Sequence, residues 1–268
     1  WDRKRGIQAV KIRSGRVLVQ QRVDQTGSLC LIAGDAEGYW LLARALARGE
    51  DFALYDPPRY IERMPGFPLL LAAHLKLFGT QVLLVRLMLA AVGTLACGFV
   101  YWLGRELVNR PTGLIAAGLA AVSPTFVVFS VLLLSETLFA TTLLASLIAL
   151  TWVTRTLRGD PGQGGLLRET RLDSHFSPAA APDSRRLSGS PRELRDSVLL
   201  AILAGACCGL ATLVRPTWIL AAPGFGLLYL CVGPVTFRSL IRIGCLGAGL
   251  LLVLAPWIVR NYRVSGHL

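Results

Sequence analysis

An all-α, polytopic bundle of membrane-spanning helices is the fold class this sequence predicts, and three observations predict it. The first is composition. Of 268 residues, 53% are hydrophobic and only 16% are charged, whereas an average soluble domain carries roughly 25% charged residues. The second is where the charges are missing. Six runs, 87–104, 111–135, 137–154, 197–214, 216–237 and 243–259, contain no Asp, Glu, Lys or Arg. One crossing of the bilayer takes about 17–25 mostly apolar residues. The third is physical: in lipid, backbone polar groups must be satisfied within the segment, which makes such runs helices and not isolated strands. About six spans plus an interfacial helix region are expected.

The net charge of +12 invites a nucleic-acid partner, but its layout excludes one. Residues 1–34 hold seven basic and two acidic residues, and 155–196 hold eight Arg against six acids. The remaining basic residues flank apolar runs, the pattern of the positive-inside rule. The six cysteines form no CxxC or Cys/His spacing. Cys97, Cys207, Cys208, Cys231 and Cys245 fall inside apolar runs, where a thiol behaves as a small hydrophobe. His74, His175 and His267 are too scattered for a histidine-based site. No metal or other cofactor is required by the sequence; the pairing of carboxylates leaves a divalent metal possible, though none is indicated.

In chain order, 1–34 is a basic segment without a span. Residues 35–80 form an outer loop with an acidic motif, opening with an amphipathic helix from Asp35 to about Arg48. Asp35 suits an N-cap and Glu37 a first turn. Pro65 starts a short apolar stretch to about Phe78, interfacial or re-entrant because it is too short to cross. Residues 81–154 hold three spans, about 82–104, 112–130 and 134–154. The segment 155–196, rich in Gly, Pro, Ser and Arg, reads as a disordered cytoplasmic loop, closed by a capping box at Ser190-Pro191-Arg192-Glu193. Residues 197–268 hold three more spans, about 197–214, 217–233 and 239–258. Gly205 and Gly209, Gly113 and Ala117, and Gly244 and Ala248 stand at the spacing of close helix contact. The chain starts at Trp1 without Met and stops at Leu268 just past a span, and it reads as truncated at both ends.

Arg105, Arg110, the Arg-rich loop, Arg238 and Arg242 assign their turns to the cytoplasm. Segments 35–80, 130–136, 214–217 and 259–268 then share the outer face. The basic residues 1–34 would lie outside as well unless a further span precedes them. The outer face collects Asp35, Glu37, Glu62, Arg63, Glu136, Arg215 and Arg260. Glu136 interrupts a 44-residue apolar region, and ionisable groups at membrane depth are costly unless they face a cavity or a partner. Arg suits phosphate oxygens through its planar fork, and a nearby carboxylate can take a proton from an attacking hydroxyl. From spacing alone, plainer roles fit the same residues. Asp35 serves as an N-cap, Glu37 as a solvated first-turn acid, Glu136 as a helix-end residue and Glu62 with Arg63 as a surface pair. Arg215 and Arg260 serve as snorkelling cations. A sugar transferase, a transporter or flippase of lipid-linked or anionic substrates, and a non-catalytic scaffold all use such a face.

The motif residues Gly34-Asp35-Ala36-Glu37-Gly38-Tyr39-Trp40 and Arg63-Met64-Pro65-Gly66-Phe67-Pro68 carry a resemblance. Ser123-Pro124, Leu134-Ser135-Glu136-Thr137, Leu213-Val214-Arg215-Pro216 and Pro256-Trp257-Ile258-Val259-Arg260-Asn261-Tyr262 continue it in order. Over about 34–268 the chain resembles GT-C fold glycosyltransferases of the family 39-like group, which includes protein O-mannosyltransferases and the lipid A aminoarabinose transferase. The resemblance implies inverting transfer from a polyprenyl-phosphate sugar to a glycan, lipid or protein acceptor, outside a bacterial inner membrane, with membrane lipid as surroundings. It implies Asp35 as catalytic base with Glu37 as its near neighbour, Arg215 and then Arg260 at the carrier phosphate, and Glu62 and Glu136 as supporting acids. The family's Pro-Pro pair after the position of Glu62 is opened here to Pro65-Gly66-Phe67-Pro68. The resemblance also implies a span directly before the first-loop acid, and further spans with a soluble outer domain after Leu268.

Overall fold

The computed structural model describes residues 7–11, 17–22, 35–54, 60–158, 191–232 and 235–266. Its bundle is all helical: α1 (Asp35–Arg48), α2 (Gly66–Phe78), α3 (Val82–Leu107), α4 (Arg110–Val122), α5 (Pro124–Val131), α6 (Glu136–Arg158), α7 (Pro191–Val214), α8 (Ala221–Val232) and α9 (Phe237–Ser265). A small antiparallel hairpin, β1 (Ile7–Lys11) with β2 (Val17–Arg22), precedes them in the basic segment, pairing Ile7 with Arg22 and Ala9 with Gln20.

Among the described residues, four helices are long and apolar enough to cross a membrane, or five if the bent pair α4–α5 counts as one span. The chain is therefore an integral membrane protein. The expectation of six full spans is revised in two places. The run expected as one helix over 112–130 bends by 59° between Val122 and Pro124. Ser123 is extended there (φ −64°, ψ 121°), because a residue before proline is pushed out of the α region and proline offers no N–H to continue the ladder. The run at 217–233 is a 3-10 turn, Pro216–Leu220, followed by the twelve-residue α8. Helices α6 and α7 in turn extend past the expected edges into 155–196, whose residues 159–190, Ser190 of the expected capping box among them, lie outside the described residues.

Contacts fix how these helices run. Midway along α3, Thr141 donates to the Val92 carbonyl at 3.2 Å; toward its C-terminal end, Arg155 donates to the Glu106 carbonyl at 2.9 Å and the Trp102 and Trp152 rings lie 5.7 Å apart. So α3 and α6 are parallel. Likewise Arg242 donates to Ser197 at 3.1 Å, while Gly205 meets Leu246 and Leu250, and Gly209 meets Leu250 and Val253. So α7 and α9 are parallel too. The chain between two parallel neighbours must return across the bundle. The 3-10 turn and α8 make that return: five residues at about 2.0 Å and twelve at about 1.5 Å give about 28 Å, against a hydrocarbon core of about 30 Å. The path thus alternates through six legs, with the starts of α3 and α6 and the ends of α7 and α9 at what is here the upper end.

Close helix approach is made by glycines. A Cβ on Gly205 would stand 1.9 Å from the Leu246 carbonyl oxygen, and one on Gly249 would stand 2.1 Å from that of Ile202. Gly113 is also tight, 2.6 Å from the Tyr101 carbonyl oxygen. Gly244, expected in this role, meets nothing within 4 Å; Gly249 holds the contact on α9.

At the upper end α1 and α2 form a cap. Ala36, Trp40, Ala43, Phe67, Leu71 and Leu75 bury against Val85 and Leu89 of α3 and against Leu133. Gly66 pins the start of α2 to the end of α7, since a Cβ there would lie 2.7 Å from the Leu213 carbonyl oxygen. The helices do not all begin at one level. Ser130 and Thr137 pack on Gly93, not on the beginning of α3. Eleven residues separate Val82 from Gly93, so α6 starts about 16 Å below the top of α3. The resulting notch lies under the α1–α2 cap.

Candidate functional site

Two sets of polar contacts, joined by the peptide link between Ser135 and Glu136, cross this upper end. Arg63 donates through Nη2 to Asp35 Oδ1 at 2.7 Å. The Arg63 guanidinium also lies 4.6 Å from the centre of the Tyr39 ring. Tyr39 donates to Ser135 Oγ at 3.3 Å. Ser135 precedes Glu136, whose Oε1 accepts from Arg215 Nη2. Segments 35–39, 63, 135–136 and 215 are thereby joined.

The local sequence explains each position. Asp35 and Tyr39 are four residues apart on α1 and share a helix face. Asp35 is the first residue of α1, and its carboxylate is taken by Arg63. Gly38 leaves room for the arginine, as a Cβ there would stand 3.2 Å from Arg63 Nε. Tyr39 is braced edge-on by Phe67 at 5.0 Å. The turn before α6 is held by Leu133, 1% exposed, and Ser135, 2% exposed. Glu136 opens α6, where the helix dipole favours a negative charge. Arg215 is extended (φ −140°, ψ 124°) because Pro216 follows, and α7 ends there.

Electrostatics distinguish the two ends of the chain of contacts. Burial works against the Arg63 charge, but the hydrogen bonds and charges of Asp35 and Tyr39 outweigh it, so its pKa is raised above the ordinary arginine value. The Arg63 side chain is 15% exposed and that of Asp35 70%. The cation is thus a fixed anchor and the carboxylate keeps an open side. At the other end Arg215 also lies 5.7 Å from the Phe139 ring centre. Glu136 Oε2 is buried without a hydrogen-bond partner among the described residues.

The remaining expected residues take other places. Glu37, in the first turn of α1, joins none of these contacts. Glu62 is exposed and lines an open depression of about 430 Å³ with Tyr60, Ile61, Val264 and Ser265. Arg260 is engaged with the backbone: it donates to the carbonyls of Tyr60 at 2.6 Å and Phe52 at 2.9 Å, and to Asn261 Oδ1 at 3.1 Å. Its guanidinium lies 4.9 Å from the Trp257 ring centre and 5.3 Å from that of Phe52. Arg260 therefore ties Phe52 and Tyr60 to α9. Arg260→Met keeps the packing and removes both carbonyl bonds. Loss of charged hydrogen bonds worth about 1.5–3 kcal/mol each when buried, less when partly solvated, is expected to speed protease cleavage beside Phe52 and Tyr60 by about tenfold. Unchanged cleavage would leave the clamp without weight.

Two arginines of this end carry little signal in the sequence. Arg63 is legible there only as the partner of its neighbour Glu62. Arg86 sits just outside the uncharged run that begins at residue 87. It lies inside the span α3, and its Nε and Nη2 are buried with no hydrogen-bond partner among the described residues. A cation one turn inside a span, far from the charged pair Arg105-Glu106 at its other end, is the signal that could have found it.

Residues 58–161 match the family model described as dolichyl-phosphate-mannose-protein mannosyltransferase. That stretch includes Arg63, Arg86 and Glu136, and leaves Asp35 and Arg215 on either side. No curated protein and no solved structure matches the chain.

Proposed function

From a GT-C-like, mannosyltransferase-type family as premise, we propose that this chain carries the site of a glycosyltransferase that takes its sugar from a polyprenyl phosphate. The observation that carries the reading is two sets of contacts, Asp35 through Arg63 and Tyr39 to Ser135 and Glu136 to Arg215, joined by the Ser135–Glu136 peptide link. It brings an open carboxylate and a phosphate-matching cation to one end of the bundle.

In the proposed reaction Asp35 takes the proton of an acceptor hydroxyl. The acceptor oxygen bonds to the anomeric carbon from the face opposite the carrier. The carbon–oxygen bond to the phosphate breaks, its electron pair stays on the phosphate oxygen, and the configuration inverts. Arg215 exchanges Glu136 for that phosphate, whose charge grows in the transition state. Arg63 positions Asp35. No metal or other cofactor enters the mechanism. The acceptor is a glycan, a lipid or a protein hydroxyl.

The upper end faces outward in this reading, from a bacterial inner membrane. Arg105, Arg110, Arg155, Arg238 and Arg242 belong to the opposite end, as the positive-inside rule asks. At the upper end Arg63, Arg215 and Arg260 are instead engaged by carboxylates or carbonyls.

The test uses the full-length protein in membrane vesicles with polyprenyl-phosphate sugars and a mixed acceptor extract. Free polyprenyl phosphate should be released, and Arg215→Gln should raise the donor KM by about 10- to 100-fold, the worth of a charge-assisted hydrogen bond. A folded wild type that releases none across donors and acceptors would turn the reading toward transport of lipid-linked substrates.

A further inference from the structure

We propose that Arg86 is a separate anion-binding group, built to hold two oxygens of a phosphate in the notch above the start of α6. Arginine cannot relieve burial by losing its proton, and an unpaired buried charge is expensive. Yet Nε and Nη2 of Arg86 have no exposed surface and no hydrogen-bond acceptor among the described residues. Bulk water therefore does not satisfy them.

Which nitrogens are orphaned matters. The N–H groups of Nε and Nη2 point the same way along one edge of the guanidinium plane, the edge that grips two oxygens of a single oxyanion side by side. An unmet pair on that edge asks for a bidentate partner.

Position agrees. Arg86 and Gly93 are seven residues apart, so they share one face of α3 two turns apart. Gly93 meets Ser130 and Thr137, and Arg86 therefore lies above the start of α6, at the level of the notch. Glu136, beside Thr137, also keeps an unpartnered buried oxygen, Oε2. The two are not bonded to each other. Arg63 and Arg215 each already hold an acid; among these three arginines Arg86 alone is left without one.

The anion site stands on this geometry. Its assignment to the phosphate of a lipid carrier rests on the glycosyltransferase reading. The same chemistry comes from a phospholipid headgroup or from free phosphate, and the experiment separates them.

The full-length protein in detergent micelles is heated alone and with polyprenyl phosphate, with phosphatidylglycerol, and with inorganic phosphate. Wild type, Arg86→Met and Arg86→Lys are compared. Polyprenyl phosphate should raise the wild-type unfolding midpoint. Arg86→Met should unfold no earlier than wild type without ligand, because it removes an unpaired charge, and should bind polyprenyl phosphate about 10- to 100-fold more weakly. Arg86→Lys, which keeps the charge and loses the fork, should also bind more weakly. Wild-type affinity in Arg86→Met overturns the site. If Arg86→Met fails to fold, wild-type affinity in Arg86→Lys overturns the bidentate grip. An equal Arg86-dependent shift with phosphatidylglycerol or inorganic phosphate overturns the carrier assignment. Arg86-dependent binding without sugar transfer sinks the enzyme reading alone; transfer with an unchanged donor KM in Arg86→Met sinks this proposal alone.

Discussion

Asp35→Asn is expected to lower the rate of sugar transfer by about 10²–10⁴-fold, the usual contribution of a positioned general base, with little change in donor KM. The substitution is close to isosteric. The amide oxygen can still accept from Arg63, which reaches Asp35 at 2.7 Å, so the α1 start and the Arg63–Tyr39 contact keep their geometry. What disappears is the capacity to take a proton. The loss should therefore fall on kcat. Steady-state kinetics at saturating donor read it directly. A variant that unfolds at the wild-type temperature and retains full kcat would reduce Asp35 to an anchor for Arg63. A rise in KM alone would assign it to substrate binding.

The second large effect concerns the scaffold. Gly205→Ala and Gly249→Ala each drive a Cβ into a carbonyl oxygen of the facing helix, at 1.9 Å and 2.1 Å. Backbone cannot rotate aside as a side chain does, so α7 and α9 must separate along their shared length. Overpacking of this kind costs about 1–3 kcal/mol and occasionally more, and a contact made by two backbones belongs at the upper end. Both variants should show a clearly lowered unfolding midpoint in detergent. They should also lose transfer activity, since α7 leads to Arg215 and α9 carries Arg260. Gly244→Ala and Gly247→Ala are the controls. Both positions face open space, and alanine there should be neutral or slightly stabilising through helix propensity. Equal losses in all four variants would refute backbone contact as the cause.

The spans are legible because lipid imposes a length and a polarity that a scan of uncharged runs reads directly. Two of the six runs nonetheless hold broken helices. Pro124 and Pro216 give notice of the breaks, but a hydropathy window sums over such residues and does not feel their dihedral consequences. Helix direction is invisible locally. The parallel course of α7 and α9 depends on which glycine meets which carbonyl, and Gly244 and Gly249 cannot be told apart until the neighbour is known. The site is legible by residue type and not by pairing. Glu136 and Arg215 stand out as charges near span ends and Asp35 as an acid opening the outer-loop helix, and all three fall on one line of contacts. The pairing of Asp35 with Arg63, 28 residues on, depends on how α1 folds over α2, which no spacing encodes. Arg260 carries the same signal as Arg215, a cation at a span end, yet its bonds go to loop carbonyls. Arg86 escapes notice because a search for charge-free runs discards the charges at their edges.

The low start of α6 bears on water. Glu136 opens α6 at the level of Gly93, beneath the α1–α2 cap. A head group that reaches that depth while its tail stays in the lipid has left the bulk aqueous phase. In the proposed reaction an activated sugar would otherwise meet water far more often than any other hydroxyl, and hydrolysis would waste the donor. In the proposed reaction a recessed, roofed step would filter nucleophiles at the donor, where the anomeric carbon is held, and not at the open carboxylate of Asp35. Fidelity of transfer over hydrolysis would then be a property of where one helix begins.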